Sequence, residues 1–363
     1  MSGMDMPVAL RQRKGRGAAS NDSGRFEAER HVSFDDGWGT ADQEPAPLTT
    51  TLGVDSTRTI IARNDSPDIR FDRSINPYRG CEHGCIYCYA RPSHAYLGLS
   101  PGLDFESRLF YKPQAAKLLA AELSKKGYVC RPIALGSNTD PYQPVERKLG
   151  ITRSILEVLR DFRHPVTIVT KSALIQRDLD ILAEMARDRL AMAAISVTTL
   201  DRKLARVMEP RAATPERRLE TIAALAAAGV PAGVMSAPMI PALNDSEMEL
   251  ILQRARAAGA CSAAYTLLRL PLELKALFKE WLEANFPAKA AHVLSLVAQT
   301  HGGRLYDSAW FTRKTGAGPY AEVLRLRFER ACRRLGFNER TAQKLDTSRF
   351  APPPRKGDQL ALF

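Results

Sequence analysis

The alternation of apolar, β-branched runs with amphipathic runs over about residues 68–268 is the feature that most limits the fold. Residues 132–136, 166–170 and 191–197 have the length and composition of buried strands, and helical periodicity separates them along the chain. Strands that are joined through helices run parallel, with the helices covering the sheet. About six such units fit, fewer than the eight of a closed barrel. We therefore predict an α/β fold, a partial (β/α)6 barrel with a parallel sheet.

Capping residues support the helix predictions. Thr214 is a suitable N-cap, Pro215 takes the first helical position, and Gly229 ends the helix predicted over 214–228. Further helices are predicted at 114–126, 151–162, 177–188 and 246–258, and further strands at 230–237 and 263–268.

The remaining chain divides by composition. We predict a mostly disordered basic and polar arm (1–55), the barrel (56–300), a basic helical extension (301–350), and a Pro-rich linker with a tail (351–363). The arm carries a basic run that includes Arg16, which is expected either to be solvated or to touch nucleic acid.

Composition and charge limit the class of protein. Of the 363 residues, 45% are hydrophobic and 25% charged, as in ordinary soluble domains. The sequence has neither an apolar run long enough to span a membrane nor an apolar secretory segment, so we expect a cytoplasmic protein. The net charge of +12 indicates a polyanionic partner.

Three of the six cysteines, Cys81, Cys85 and Cys88, lie within eight positions in a C-x3-C-x2-C pattern. Such crowding indicates a metal site in a reducing compartment. A [4Fe-4S] cluster usually takes four cysteines, so three would leave one iron open to a small molecule. The alternative is a structural zinc with His83 or His94 as fourth ligand. Structural zinc sites are usually built from two pairs of ligands, and the sequence offers no second pair here.

This spacing, with Tyr87 directly before the last cysteine, resembles the radical S-adenosylmethionine (SAM) superfamily. The resemblance implies that Cys81, Cys85 and Cys88 hold a [4Fe-4S] cluster and that SAM binds the fourth iron. One electron from the cluster would then cleave SAM to methionine and a 5′-deoxyadenosyl radical.

The phrases at 79–81, 139–144 and 238–241 resemble the spore photoproduct lyase-like, or DNA repair photolyase-like, branch of that superfamily. The resemblance implies that Lys171 and Ser196 contact the SAM carboxylate and ribose. It also implies that Asn138 and Asp140 lie near the SAM amino group, that backbone around Tyr87 and Met239 meets adenine, and that Thr198, Glu209 and Arg211 face the site. A plain charge at a helix entrance is the alternative for Glu209 and Arg211.

One position departs from that branch. Spore photoproduct lyase has a hydrogen-donating cysteine where this chain has Ser137, and a serine O–H bond is a poor hydrogen-atom donor. True spore photoproduct repair is therefore doubtful by sequence. Tyr142 is the substitute donor we predict beside Ser137, although packing is the usual role of a tyrosine in such a turn.

The tail Gln359-Leu360-Ala361-Leu362-Phe363 resembles the peptide by which bacterial repair proteins bind the sliding clamp. Gln359, Leu360, Leu362 and Phe363 match its pattern, and the upstream prolines would extend it from the body. A terminal strand that docks on its own domain is the alternative.

We therefore expect a radical SAM enzyme in DNA repair or other DNA-directed chemistry, with lyase-type activity and a low-potential flavodoxin or ferredoxin as electron donor. Two alternatives remain open. One is a radical SAM enzyme that acts on RNA, a peptide or a small molecule. The other is a non-catalytic iron–sulfur module recruited to the clamp.

Overall fold

The computed structural model describes residues 13–27, 29, 47–338 and 344–354. Within these ranges the strands are β1 (Thr51–Val54), β2 (Ile61–Arg63), β3 (Arg73–Ile75), β4 (Tyr78–Arg79), β5 (Arg108–Tyr111), β6 (Ile133–Leu135), β7 (Val166–Thr170), β8 (Ala191–Ser196), β9 (Ala232–Met239) and β10 (Ser262–Leu267). The α-helices are α1 (Leu103–Ser107), α2 (Ala115–Leu123), α3 (Glu146–Leu149), α4 (Ile151–Asp161), α5 (Leu179–Arg187), α6 (Arg202–Met208), α7 (Pro215–Ala227), α8 (Met248–Ala257), α9 (Leu274–Asn285), α10 (Pro287–Gln299) and α11 (Gly318–Leu335).

The main sheet confirms the predicted partial barrel. Its order is β10-β9-β8-β7-β6-β3-β2, and the six strands from β3 to β10 in this order pair in parallel. Strand β2 pairs antiparallel with β3 at one edge. A separate sheet of order β1-β5-β4 stands beside it. The parallel strands therefore bring their carboxyl ends together, where sites of such folds form.

The core explains why the sequence pattern worked. Strands β6, β7 and β8 bury apolar side chains against the helices that follow them, among them Ile133, Ile168 and Ile195. A second apolar cluster joins the loop of the three cysteines to α9, where Phe278 and Trp281 are buried. The barrel therefore packs on both its outer layer and its cysteine loop.

Helix boundaries depart slightly from the predictions. The segment 173–178 is a 3-10 turn, and α5 begins only at Leu179 because Ser172 caps the turn through the backbone NH of Leu174. Helix α7 begins as predicted, since the Thr214 side chain accepts the backbone NH of Arg217. None of the described helices is long and apolar enough to cross a membrane.

The open edge of β10 is covered by a single side chain. The amide of Asn338 accepts the backbone NH of Ala263 at 3.0 Å and donates to the Ala263 carbonyl at 2.9 Å. Further along the same strand, the backbone NH of Leu267 donates to the Lys314 carbonyl at 2.7 Å. The segments after α10 and α11 therefore satisfy part of this edge.

Part of the arm is docked on the body. Residues 13–27 lie against the cysteine loop, and Arg16, Ala18 and Ser20 are buried. Arg16 is 3% exposed, so the expectation that it is solvated or touches nucleic acid is wrong. Its guanidinium donates instead to the backbone carbonyls of Glu106 and Leu48, both at 2.7 Å. Residues 1–12 and the tail 359–363, with its predicted clamp peptide, lie outside the described residues.

Candidate cluster and cofactor site

The three cysteines share one loop at the carboxyl ends of the barrel strands. Cys81 and Cys85 are buried, Cys88 is half-buried, and none forms a disulfide. Burial raises the pKa of the Cys85 thiol to about 12, and the neighbouring thiol of Cys88 contributes to that rise. Among the described residues, no three His, Cys, Asp or Glu side chains converge as they would on a single metal ion. Free thiols spread around one loop fit a cluster, in which each cysteine holds its own iron.

Two glycines shape this loop. Gly80 and Gly84 have φ angles of +75° and +67°, a region that residues with a Cβ rarely adopt. The backbone NH of Cys81 donates to the Phe105 carbonyl at 2.9 Å, and that of Cys88 to the Cys85 carbonyl at 3.2 Å. The loop is therefore a wound, hydrogen-bonded segment that presents three thiols within eight residues.

A buried arginine supports the loop from below. Arg91 has no exposed surface, and its guanidinium donates to the backbone carbonyls of Cys85 at 2.9 Å and Gly84 at 3.0 Å. The same guanidinium pairs with Glu106, which is also fully buried. We did not predict this pair, because the two side chains meet only through the fold.

The docked arm closes on the same carboxylate. Glu106 accepts the backbone NH of Gly17 at 2.9 Å and that of Ala18 at 2.8 Å. Gly17 lies so close to the loop that a Cβ there would come within 1.9 Å of the Gly84 carbonyl oxygen. We call residues 16–18 the strap, because they cross the cysteine loop and fasten to its supporting acid.

The predicted phrase 139–144 braces the loop from the β6 side. The Thr139 hydroxyl donates to the Gly80 carbonyl at 2.7 Å, and the Gln143 amide donates to the same oxygen at 3.3 Å. The Gln143 side chain also accepts the backbone NH of Glu82 at 2.8 Å. The end of β6 and the cysteine loop are therefore joined by hydrogen bonds on both sides of Cys81.

Asp140 lies between this phrase and β7. Its carboxylate accepts the Thr170 hydroxyl at 2.6 Å and the backbone NH of Lys171 at 3.0 Å, and His83 Nδ1 lies 3.3 Å away. Burial alone would raise the pKa of Asp140, but His83, Lys171 and Thr170 together hold it below its usual value. The group is therefore a carboxylate that ties three segments together.

The two predicted hydrogen donors lie in different surroundings. Tyr142 is fully buried in the core, and its hydroxyl donates to Asp178 at 3.1 Å, contacts that a packing role explains. Ser137 ends β6, where its hydroxyl accepts the Asn76 amide at 3.1 Å. Asn138 beside it is exposed, and its backbone NH donates to Asn76 at 2.8 Å. Hydrogen donation by Ser137 or Tyr142 stays a prediction.

A buried ion pair joins the ends of β8 and α6 to the cysteine loop. Glu209 pairs with Arg218 and accepts the Tyr87 hydroxyl and, at 2.9 Å, the Thr198 hydroxyl. Burial raises the pKa of Glu209, but Arg218 and Lys171 outweigh it and keep the pKa below its usual value. The Lys171 ammonium lies 5.8 Å from the centre of the Tyr87 ring. Four predicted cofactor residues therefore lie in one network.

The other predicted cofactor residues also lie around this end of the barrel. Arg211 pairs with Glu82, and its backbone NH donates to the His83 carbonyl at 3.3 Å. Ser196, buried at the end of β8, accepts Arg218 through its carbonyl at 3.1 Å. Met239 ends β9 and is fully buried. Their contacts with SAM stay predictions.

The fold and the cysteine loop define the class of protein. Residues 75–255 match the radical SAM superfamily, and this chain belongs to it.

Similar proteins agree with this assignment. A protein of Mycobacterium bovis with no characterised function is 37% identical over 219 residues, which cover 60% of this chain and 64% of that protein's length. A similar protein of Methanocaldococcus jannaschii is 27% identical, over 59% of this chain and 76% of its own length. The chain therefore matches less than two thirds of the length of its mycobacterial relative.

Solved structures of spore photoproduct lyase have the same fold. A single-site variant aligns with a TM-score of 0.58 at 15% identity, over 79% of this chain and 80% of its own. A complex described as bound to dinucleoside spore photoproduct aligns with a TM-score of 0.57 at 16% identity, with the same coverage.

Proposed function

We propose that this protein is a radical SAM enzyme that cleaves SAM and directs the resulting radical to DNA, in repair or related chemistry of lyase type. The observation that carries the proposal is the set of three free cysteines on one braced loop at the carboxyl ends of six parallel strands. Cys81, Cys85 and Cys88 would hold a [4Fe-4S] cluster. The bound cluster and SAM would supply one-electron cleavage and a carbon-centred radical.

The protein's own residues would bind and orient SAM. Lys171 carries a cation beside Tyr87 and near the buried acids Asp140 and Glu209, at the depth where a carboxylate of SAM would meet it. The rest of the proposed shell is Asn138, Ser196, Thr198, Arg211 and Met239. Its buried hydrogen-bond network fixes these side chains before a ligand arrives, which reduces the entropy lost on binding.

DNA is the proposed substrate on three grounds. The net charge of +12 favours a polyanion. The fold is that of spore photoproduct lyase, whose structures include a complex with a dinucleoside photoproduct. The tail from Gln359 to Phe363 resembles a sliding-clamp peptide. We propose the clamp and a low-potential flavodoxin or ferredoxin as partners, and a cytoplasmic location.

Release of 5′-deoxyadenosine by the anaerobically reconstituted, dithionite-reduced protein tests the proposal. We expect release that rises with UV-irradiated DNA and is lost in Cys85→Ala. The matched control is Cys261→Ala, a half-buried cysteine outside the loop. Release that DNA does not change would remove DNA as substrate and favour RNA, a peptide or a small molecule. A bound cluster with no release at all would favour the non-catalytic module.

A further inference from the structure

A second group of residues lies at the carboxyl ends of the strands, outside the cofactor network. Arg269 follows β10 by two positions, and its guanidinium carbon lies 5.2 Å from the centre of the Tyr89 ring. Tyr89 directly follows Cys88, and its hydroxyl donates to the Ser137 carbonyl at the end of β6. This pair therefore stands beside the cysteine loop, where a substrate must approach.

The cations of this region exceed its acids. The buried Nε of Arg269 has no hydrogen-bond partner, a costly state for a charged donor. The carboxylate of Asp68 is already taken by both nitrogens of an Arg313 fork. The Lys314 ammonium donates at 2.9 Å to the backbone carbonyl of Asp68 rather than to a carboxylate. An anion from outside would satisfy Arg269 and Lys314.

The surrounding charges act on Lys314 in the same sense. Burial lowers the pKa of Lys314, and the nearby positive charges of Arg269, Arg313 and Arg70 lower it further, against the opposing effect of Asp68. Repulsion among these cations is what an arriving anion would relieve.

Exposed aromatic rings accompany the cations. Trp310 is 48% exposed and stacks with Arg313, whose guanidinium carbon lies 4.3 Å from the ring centre. Phe311 is 65% exposed and Tyr89 48%. Flat exposed rings beside unbalanced cations are the composition of surfaces that bind single-stranded nucleic acid, where rings stack on bases and cations contact phosphates. We call Tyr89, Arg269, Trp310, Arg313 and Lys314 the basic rim.

We propose that the basic rim binds a single-stranded or flipped-out segment of nucleic acid, with Arg269 and Lys314 on phosphates and Trp310 on a base. This inference rests on the proposed function, because it assumes that nucleic acid is the substrate of the adjacent site. The backbone bond between Leu267 and Lys314 fixes the rim to β10, so a bound strand would have a defined register against the cysteine loop.

Salt-dependent binding of a short fluorescein-labelled oligothymidylate, followed by anisotropy with the full-length protein, tests the rim. Each lost phosphate contact on a single strand lowers the slope of log K against log salt by about 0.7. We expect Arg269→Gln/Lys314→Gln to lower that slope by about 1.4, and Lys314→Gln alone by about half as much. We expect Trp310→Ala to weaken binding roughly tenfold with the slope unchanged.

The control is Arg217→Gln, which removes an exposed arginine that pairs with Glu220 on outer helix α7. It should leave affinity and slope as in the wild type. Wild-type binding that none of the rim variants alters would overturn the rim and leave the proposed function standing. Absence of wild-type binding would overturn both the rim and the nucleic-acid part of the proposed function, while SAM cleavage without DNA would be unaffected.

Discussion

The substitution Gly17→Ala tests whether the strap holds the cysteine loop. The new Cβ would lie 1.9 Å from the Gly84 carbonyl oxygen, a backbone atom that cannot swing aside. The strap must then lift, and Glu106 loses the backbone NH groups of Gly17 and Ala18. Hydrogen bonds to a charged group are worth about 1.5–3 kcal/mol each. Because Arg91 remains paired with Glu106, we expect the low end of the sum, about 3 kcal/mol.

Urea unfolding of the wild type and the variant measures this loss. The matched control is Gly15→Ala in the same arm, where a Cβ would meet nothing within 4 Å and only the φ of +74° opposes it. That control should cost about 1 kcal/mol. Equal stability of the two variants would refute the reasoning, because it would mean that contact with the loop adds nothing to the backbone effect.

Three further outcomes are expected. Cys85→Ala should abolish iron incorporation on reconstitution, measured by iron analysis; undiminished iron content would contradict the ligand assignment. Arg218→Met should lower the free energy of unfolding by about 3–5 kcal/mol in urea, because it leaves Glu209 buried and unpaired; a change below about 1 kcal/mol would contradict that. Burial lowers the pKa of His164 from 6.5 to about 4, so its folded form resists protonation and stability falls as pH drops below 6.5. Between pH 7 and 5 the wild type should therefore lose about 2 kcal/mol more than His164→Asn, and parallel pH profiles in urea unfolding would count against it.

The sequence predicted what depends on local pattern. The parallel sheet was predictable because each strand is an apolar run with a helix beside it, and the cysteine loop because its three thiols lie within eight residues. Strand β9 was placed two residues early, at 230–237 instead of Ala232–Met239, because Val230 is as apolar as the strand itself.

What the sequence could not predict joins distant positions. The strap reaches Glu106 across about ninety residues through backbone NH groups, which leave no trace in side-chain pattern. Arg91 carries no sign that its charge is buried. Asp140 was expected beside SAM, and the hydrogen bonds that occupy its oxygens come from Thr170 and Lys171 on the next strand.

An incomplete barrel has sheet edges, which a closed barrel lacks. The edge strand β10 offers backbone donors and acceptors to any extended peptide, and such edges template association between chains. Asn338 occupies both polar groups of Ala263 with one side-chain amide. The space left open for a large substrate thus carries a risk of aggregation, and a single amide after α11 reduces it without closing the barrel.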